Sequence, residues 1–282
     1  MRRAAAIFAL LLGLNAYAQE FQRYDLSYRD LGRYNPAAVA EYDKEVGFLG
    51  KYRLPSEADA SLTDNPLDFA LDLYTGGDKG NFMIGGFHDG YSYYTRYKAY
   101  LGYAWKVTLG TGFLNMGACV NIALDQADMT KYDGWTGSRD DLTFITEDFD
   151  LGFEYRTGGL HAGIACRNIL SSRSEWEEQV LFRNPRTFSV NVSYDLKTRG
   201  DEFQFSPFLL GLYSGEPALD AGAYICIVQE VELSYSFRIP DFRHIAAVGF
   251  PVPGTRFVLR GAYSWGPQAP FATATAGIAY KL

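Results

Sequence analysis

The chain has 282 residues, a formal charge of −7, three cysteines and an aromatic content of 16%. The negative balance argues against a nucleic-acid partner, whose phosphates demand a basic surface. The odd cysteine count, without a CxxC pair, argues against a disulfide framework and reads Cys119, Cys166 and Cys226 as ordinary strand residues.

Arg2 and Arg3 precede an apolar stretch from Ala4 to Leu14 and the small-x-small sequence Ala16-Tyr17-Ala18. This is the pattern of an export signal, residues 1–18, with cleavage expected after Ala18. No cysteine near Gln19 offers a lipoprotein anchor. No later stretch approaches ~20 consecutive apolar residues, so a spanning helix is not expected. Residues 19–44 lack sustained alternation and hold Asn35-Pro36-Ala37. Two places are open to this segment: the lumen of a barrel, as a plug, or the periplasm.

From residue 45 to 282 the pattern changes to a period of two. Ala99, Leu101, Tyr103, Trp105, Val107 and Leu109 alternate with Lys98, Tyr100, Gly102, Ala104, Lys106 and Thr108. Val231, Leu233, Tyr235, Phe237 and Ile239 alternate with Glu230, Glu232, Ser234, Ser236 and Arg238. Such segments predict an all-β chain, a transmembrane outer-membrane β-barrel with outer-membrane lipid on one face and a polar lumen on the other. Fourteen antiparallel strands are predicted, near 45–53, 67–75, 80–88, 98–109, 111–124, 147–156, 159–168, 187–197, 203–212, 220–228, 230–239, 244–251, 255–265 and 272–281. The break near Gln229 has no turn chemistry, which leaves twelve as the other count. By alternation Cys119 falls on the lumen side and Cys166 on the lipid side. In the last strand Ala272, Ala274, Ala276, Ile278, Tyr280 and Leu282 form one face and Thr273, Thr275, Gly277, Ala279 and Lys281 the other.

Connections sort by parity. Short ones fall at 76–79, Gly110, Thr157-Gly158, 198–202 and 251–254, whereas the others are mostly long, at 54–66, 89–97, 125–146 and 169–186, with shorter ones near Ser214 and Pro267. Short periplasmic turns and long external loops are the barrel pattern. The acidic residues Asp125, Asp128, Asp133, Asp140 and Asp141 are expected in the longest external loop, as a solvated charged surface. Inward positions Lys98, Lys106, Asp150, Glu154, Glu230, Glu232 and Arg238 mix signs, which suits internal salt bridges at least as well as an ion-selective pore.

Residues with the spacing of a catalytic or metal site are missing. His88, His161 and His244 lie in separate predicted strands, there is no HExxH or GxSxG, and Gly76-Gly77-Asp78-Lys79-Gly80 reads as a turn. No catalytic, cofactor-binding or metal-ligating residue is assigned, and an enzyme is not expected.

Several segments, in order, resemble a known family. They are Tyr34-Asn35-Pro36-Ala37-Ala38-Val39, then Asp148-Phe149-Asp150-Leu151-Gly152-Phe153-Glu154-Tyr155 followed by Leu160-His161-Ala162-Gly163-Ile164-Ala165 and Asn168-Ile169-Leu170. Further on come Ser206-Pro207-Phe208-Leu209-Leu210 and Leu233-Ser234-Tyr235-Ser236-Phe237-Arg238. Together they are similar to the PorP/SprF family of outer-membrane proteins linked to the type IX secretion system of Bacteroidota. The family's Gly-x-His-Glu in the last strand is replaced here by Thr273-Ala274-Thr275-Ala276-Gly277. The resemblance implies a non-enzymatic barrel that assists secretion or surface attachment of an adhesin-like protein, with secretion-system components as partners. The other reading on the same fold is a passive pore or small-solute transporter.

Overall fold

The computed structural model describes residues 31–54, 67–91, 94–129, 141–176, 179–198, 200, 202–228, 231–267 and 272–282. The expected export signal, residues 1–18, and positions Asp133, Asp140 and Glu230 lie outside them. Among the described residues no helix is long and apolar enough to cross a membrane.

The first strands are β1 (Glu45–Leu54), β2 (Leu67–Gly77), β3 (Gly80–Tyr91), β4 (Tyr94–Leu109), β5 (Gly112–Asp128), β6 (Asp141–Thr157) and β7 (Leu160–Arg167). A separate hairpin follows, β8 (Arg173–Trp176) with β9 (Gln179–Arg183), and then β10 (Thr187–Tyr194) with its short continuation β11 (Leu196–Lys197). The remainder are β12 (Phe203–Tyr213), β13 (Pro217–Ile227), β14 (Val231–Ile239), β15 (Arg243–Pro251), β16 (Phe257–Trp265) and β17 (Ala272–Lys281). Each barrel strand pairs antiparallel with its neighbours, β7 joins β10, β10 joins β12, and β1 joins β17, so the sheet closes on itself. Counting β10 and β11 as one, and leaving aside the β8–β9 hairpin, fourteen strands form the wall, as the alternation predicts. Closure removes the unpaired strand edges that lipid cannot satisfy.

The period of two separates the faces. Leu71, Ile84, Leu101, Val120, Leu151, Ile164, Val190, Leu209, Leu233, Val248 and Ile278 are exposed on the outside and make an aliphatic belt. Aromatic residues flank it, with Phe82, Tyr103, Trp105, Phe113, Phe257 and Tyr280 toward the short turns and Phe69, Tyr97, Tyr213, Tyr235, Tyr263 and Trp265 toward the other rim. These are the girdles that seat a barrel at the two water–lipid boundaries. Cys119 faces the buried lumen side and Cys166 the outer side, and all three cysteines are free thiols.

Two-residue turns close the β4–β5 and β6–β7 hairpins. They need a residue with positive φ, which Gly110 (60°) and Gly158 (55°) supply without steric cost. Between β13 and β14 the chain turns at Val228 with φ 53°, a β-branched residue in a region it seldom enters. That explains why the break near Gln229 carries no recognisable turn signal.

The external side departs from expectation in three places. The connection expected over 89–97 is much shorter, because β3 runs to Tyr91 and β4 starts at Tyr94. The long loop expected over 125–146 contracts, because β5 continues to Asp128 and β6 begins at Asp141, so Asp125, Asp128 and Asp141 stand in strands. Strands β4 to β6 have 16 or 17 residues, well beyond the ~9–11 that cross a bilayer. Their outer ends alternate polar residues that apolar-based reading passes over. Finally, the stretch expected as loop over 169–186 contains the β8–β9 hairpin.

Candidate functional site

The interior of the barrel holds a piece of the chain itself. Residues 31–41 form two 3-10 turns, Leu31–Arg33 and Pro36–Glu41. Asn35 caps the second: its side-chain oxygen accepts from Ala37 N at 3.0 Å, and Pro36 fits the first helical position, where no N–H is needed. Tyr34, Asn35, Ala37, Ala38 and Val39 are all buried.

Neighbouring residues of this segment grip opposite walls. Arg33 pairs with Asp72 of β2. Tyr34 packs with Leu210 and Leu212 of β12 and Ala218 of β13, and its carbonyl accepts from Ser189 Oγ of β10 at 2.8 Å. β2 and β12 are seven strands apart in either direction around the closed sheet. The segment therefore crosses the lumen.

Three glycines make room for it. Gly117 of β5 stands opposite Gly152 of β6 in register, and Gly163 of β7 stands opposite Glu154. A Cβ at Gly117 would overlap the backbone of Pro36 and Ala37, and one at Gly152 or Gly163 would overlap the side chain of Asn35. Asn35 Nδ2 donates to Phe153 O and to Asn191 Oδ1, each at 3.1 Å. Asn81 Nδ2 donates to Val39 O at 2.9 Å and Tyr42 O at 2.8 Å. Lys106 closes the end of the segment by pairing with Glu41 at 2.8 Å. The carbonyls of Tyr34, Val39 and Tyr42 and the side-chain amide of Asn35 thus find partners on the wall, as backbone and amide groups buried in a lumen require.

The remaining interior is laced by ion pairs. Arg53 meets Asp68 and Asp89 at 2.6 Å, and Arg96 binds Asp125 through Nε at 2.6 Å and Nη2 at 3.1 Å. Tyr94 donates to the same Asp125 at 2.7 Å. Arg167 meets Asp150 at 3.1 Å, Arg156 meets Glu154, and Arg260 bridges Glu45 at 2.8 Å and Glu232 at 3.4 Å. Arg238 Nε and Nη2 donate to Asp220 Oδ1 and Oδ2 at 2.8 Å each.

Of the inward positions expected to mix signs, Lys98, Asp150, Glu154, Glu232 and Arg238 are buried inside, and Lys106 reaches the segment. The alternation alone does not reveal Arg33, Arg53, Asp68, Asp72 and Asp220. Only cross-strand register brings opposite charges together, as where Asp220 faces Arg238. Asp125, expected in a solvated loop, is instead fully buried against Arg96, because β4 and β5 remain paired that far out.

Breaking one buried pair leaves a charge without its partner. Arg238→Ala is therefore expected to cost about 3–5 kcal/mol of barrel stability, and the double change Arg238→Met with Asp220→Leu much less. Urea unfolding in detergent micelles measures both. Equal losses in the two would contradict the pairing.

The histidines are dispersed. His88 stacks on Phe69 with ring centroids 4.8 Å apart, and His244 Nδ1 lies 2.6 Å from Tyr235 Oη, both on the outer face. His161 lies inside, with Nε2 3.4 Å from Asp195. Among the described residues no group of three metal-ligating side chains occurs. Toward the short turns a cavity of about 570 Å³ opens, lined by Glu41, Phe113, Arg156, His161, Asp195 and Lys197 among others.

Solved structures with the same fold are outer-membrane barrels. The outer membrane protein Omp33 of Acinetobacter baumannii matches with a TM-score of 0.56 at 8% identity, over 86% of this chain and 98% of that one. The CymD monoaromatic hydrocarbon channel matches at 0.56 and 10% identity, over 92% and 94%. The Pseudomonas putida toluene transporter TodX matches at 0.51 and 11% identity, over 87% and 91%. Identities this low establish the fold, a closed barrel of the outer membrane. A search of curated sequences finds no match. The model of the type IX secretion system membrane protein PorP/SprF matches residues 33–277, from the buried Arg33 to the last strand. A match over nearly the whole barrel and its crossing segment, on a fold already seen to be an outer-membrane barrel, means that the chain belongs to the PorP/SprF family of type IX secretion system membrane proteins.

Proposed function

We propose that this barrel serves the export or surface attachment of a protein secreted by the type IX system, without acting as an enzyme and without conducting solutes through its lumen. The observation that carries this reading is the segment from Arg33 to Tyr42, which crosses the lumen and is bonded to opposite walls. Family membership supplies the secretion context. The long strands β4 to β6 and the β8–β9 hairpin offer a raised external rim where recognition residues belong on a rigid scaffold. An adhesin-like cargo is the partner that fits, with secretion components meeting the periplasmic side.

A mild-detergent pull-down of a tagged copy from its native outer membrane tests the proposal. Mass spectrometry should find a large secreted surface protein or secretion-system components among the bound proteins. Recovery of the barrel alone, while a control complex survives the same detergent, would favour the second reading. That reading is a passive pore or solute transporter, and the channel and transporter titles of CymD and TodX, which share the fold, speak for it.

A further inference from the structure

The external end of the wall leaves one strand edge open among the described residues. β6 is paired with β5 from Asp141, opposite Asp128, to Arg156, opposite Phe113. With β7 it is paired only from Leu151 to Thr157. Beyond β7 the chain turns and is tied to β6 at one level. Ile169 N donates to Phe149 O at 2.9 Å, and Asp148 accepts from Leu170 N at 3.0 Å and from Ser172 N at 3.3 Å. Ser172 Oγ donates to Glu147 O. The chain then enters the β8–β9 hairpin, whose two strands pair with each other in a sheet of their own.

Backbone groups of alternate residues in a strand point to the same side. The carbonyls of Phe149 and Glu147 face the β7 side, so the N–H and C=O groups of Ile145 and Thr143 continue that row outward. Among the described residues no strand pairs with them there. Counted from the turn at Gly158, the ~9–11 residues that cross a bilayer end near Glu147, which leaves this edge outside the membrane.

An open edge is a template for another strand, and proteins that keep one unpaired guard it with proline, lysine or a bulge. Residues 141–147, Asp-Leu-Thr-Phe-Ile-Thr-Glu, hold no proline or lysine, and their pairing with β5 has no register shift. Ile145 is 71% exposed, the highest value for a large apolar side chain among the described residues. Asp141, Thr143 and Glu147 share its face and are exposed. The edge therefore offers a row of main-chain groups, one apolar side chain, and a carboxylate at each end.

Charge decides between occupants. Two copies of this barrel in one membrane point the same way, so their β6 edges would run parallel and set Asp141 against Asp141 and Glu147 against Glu147. Like charges directly opposed destabilise a strand pair. A strand of another protein, with lysine or arginine toward its ends and an apolar residue between, would neutralise both carboxylates and cover Ile145.

We infer that the outer edge of β6, residues 141–147, binds an extended strand with basic ends, contributed by the secreted protein, through β-strand addition. This rests on the export or attachment role proposed above, which brings such a protein to this face.

The test titrates the full barrel in lipid nanodiscs with a fluorescent peptide of alternating valine and threonine with lysine at both ends, read by anisotropy. Ile145→Pro removes the N–H that faces the open edge and leaves the bonds to β5, made by the even-numbered residues, in place. The wild type should bind the peptide, and Ile145→Pro, with folding checked by heat-dependent gel mobility, should bind it about tenfold more weakly or worse. If that variant misfolds, D141K/E147K, which keeps the backbone, should prefer the same peptide with glutamate at both ends. Absence of binding by the wild type, equal binding by folded Ile145→Pro, or an unchanged preference in D141K/E147K would overturn the assignment. So would self-association of the wild type that Ile145→Pro abolishes, since a second copy would then be the occupant. In cells, Ile145→Pro should lose from the surface the same proteins as cells lacking the chain. Their retention would overturn the inference and leave the export role standing, whereas a surface unaltered by loss of the whole chain would overturn the export role and this inference with it.

Discussion

Replacing Gly152 by Val, together with Gly117→Val, is expected to expel the crossing segment and to make the barrel conduct ions where the wild type is expected not to. The two glycines face each other across β5 and β6, and side chains there would occupy the space of Asn35, Pro36 and Ala37. The clash is with backbone at Gly117 and with a side chain held by three hydrogen bonds at Gly152, so neither neighbour yields easily. The wall strands themselves remain paired, since these positions face the lumen. Overpacking of this kind costs about 1–3 kcal/mol, enough to release a segment held by bonds worth about 1 kcal/mol each only if several break together. Asn35 links three of them, so its displacement releases them together. Planar-bilayer recordings should show no steps for the wild type, clear steps for the double variant, and none for Gly261→Ala, where the nearest atom to an added Cβ is 3.7 Å away. Conduction by the wild type would place the open path elsewhere.

Leu101→Arg is expected to impair membrane insertion, at a cost of about 2–4 kcal/mol for a charge near the middle of the bilayer. Leu101 is 55% exposed, faces Val120 in register, and lies in the aliphatic belt between the girdles. Thr108→Arg, in the lumen-side set of the same strand and close to the turn at Gly110, is expected to cost only about 0–1 kcal/mol. The ratio of folded to unfolded barrel after refolding into vesicles measures the difference. Equal tolerance would mean that the outward register of β4 is misassigned.

The strands of this barrel were readable because lipid on one side and polar groups on the other impose a period of two that local sequence must obey. Even the weak boundary near Gln229 came out as two strands, although Val228 makes the turn without glycine. The interior was much less legible. Alternation tells that Arg238 points inward, but its bond to Asp220 depends on the pairing of β13 with β14. The sequence places Asp125 in a loop because apolar alternation fades beyond Leu124, whereas its burial comes from ion pairing with Arg96 across β4 and β5. The segment around Asn35 was visible only as a lack of alternation. Its place inside the barrel depends on Gly117, Gly152 and Gly163, which in sequence read as ordinary strand glycines and become a cradle only when β5, β6 and β7 lie side by side.

The surface proteome of cells lacking this chain tests the proposed role most directly. Protease shaving of intact cells, compared with whole-cell protein content, should show one or a few large proteins missing from the surface while still being synthesised, and restored by the wild-type barrel. An unchanged surface proteome, with slower uptake of a small solute in its place, would contradict the secretion role and identify the barrel as a pore.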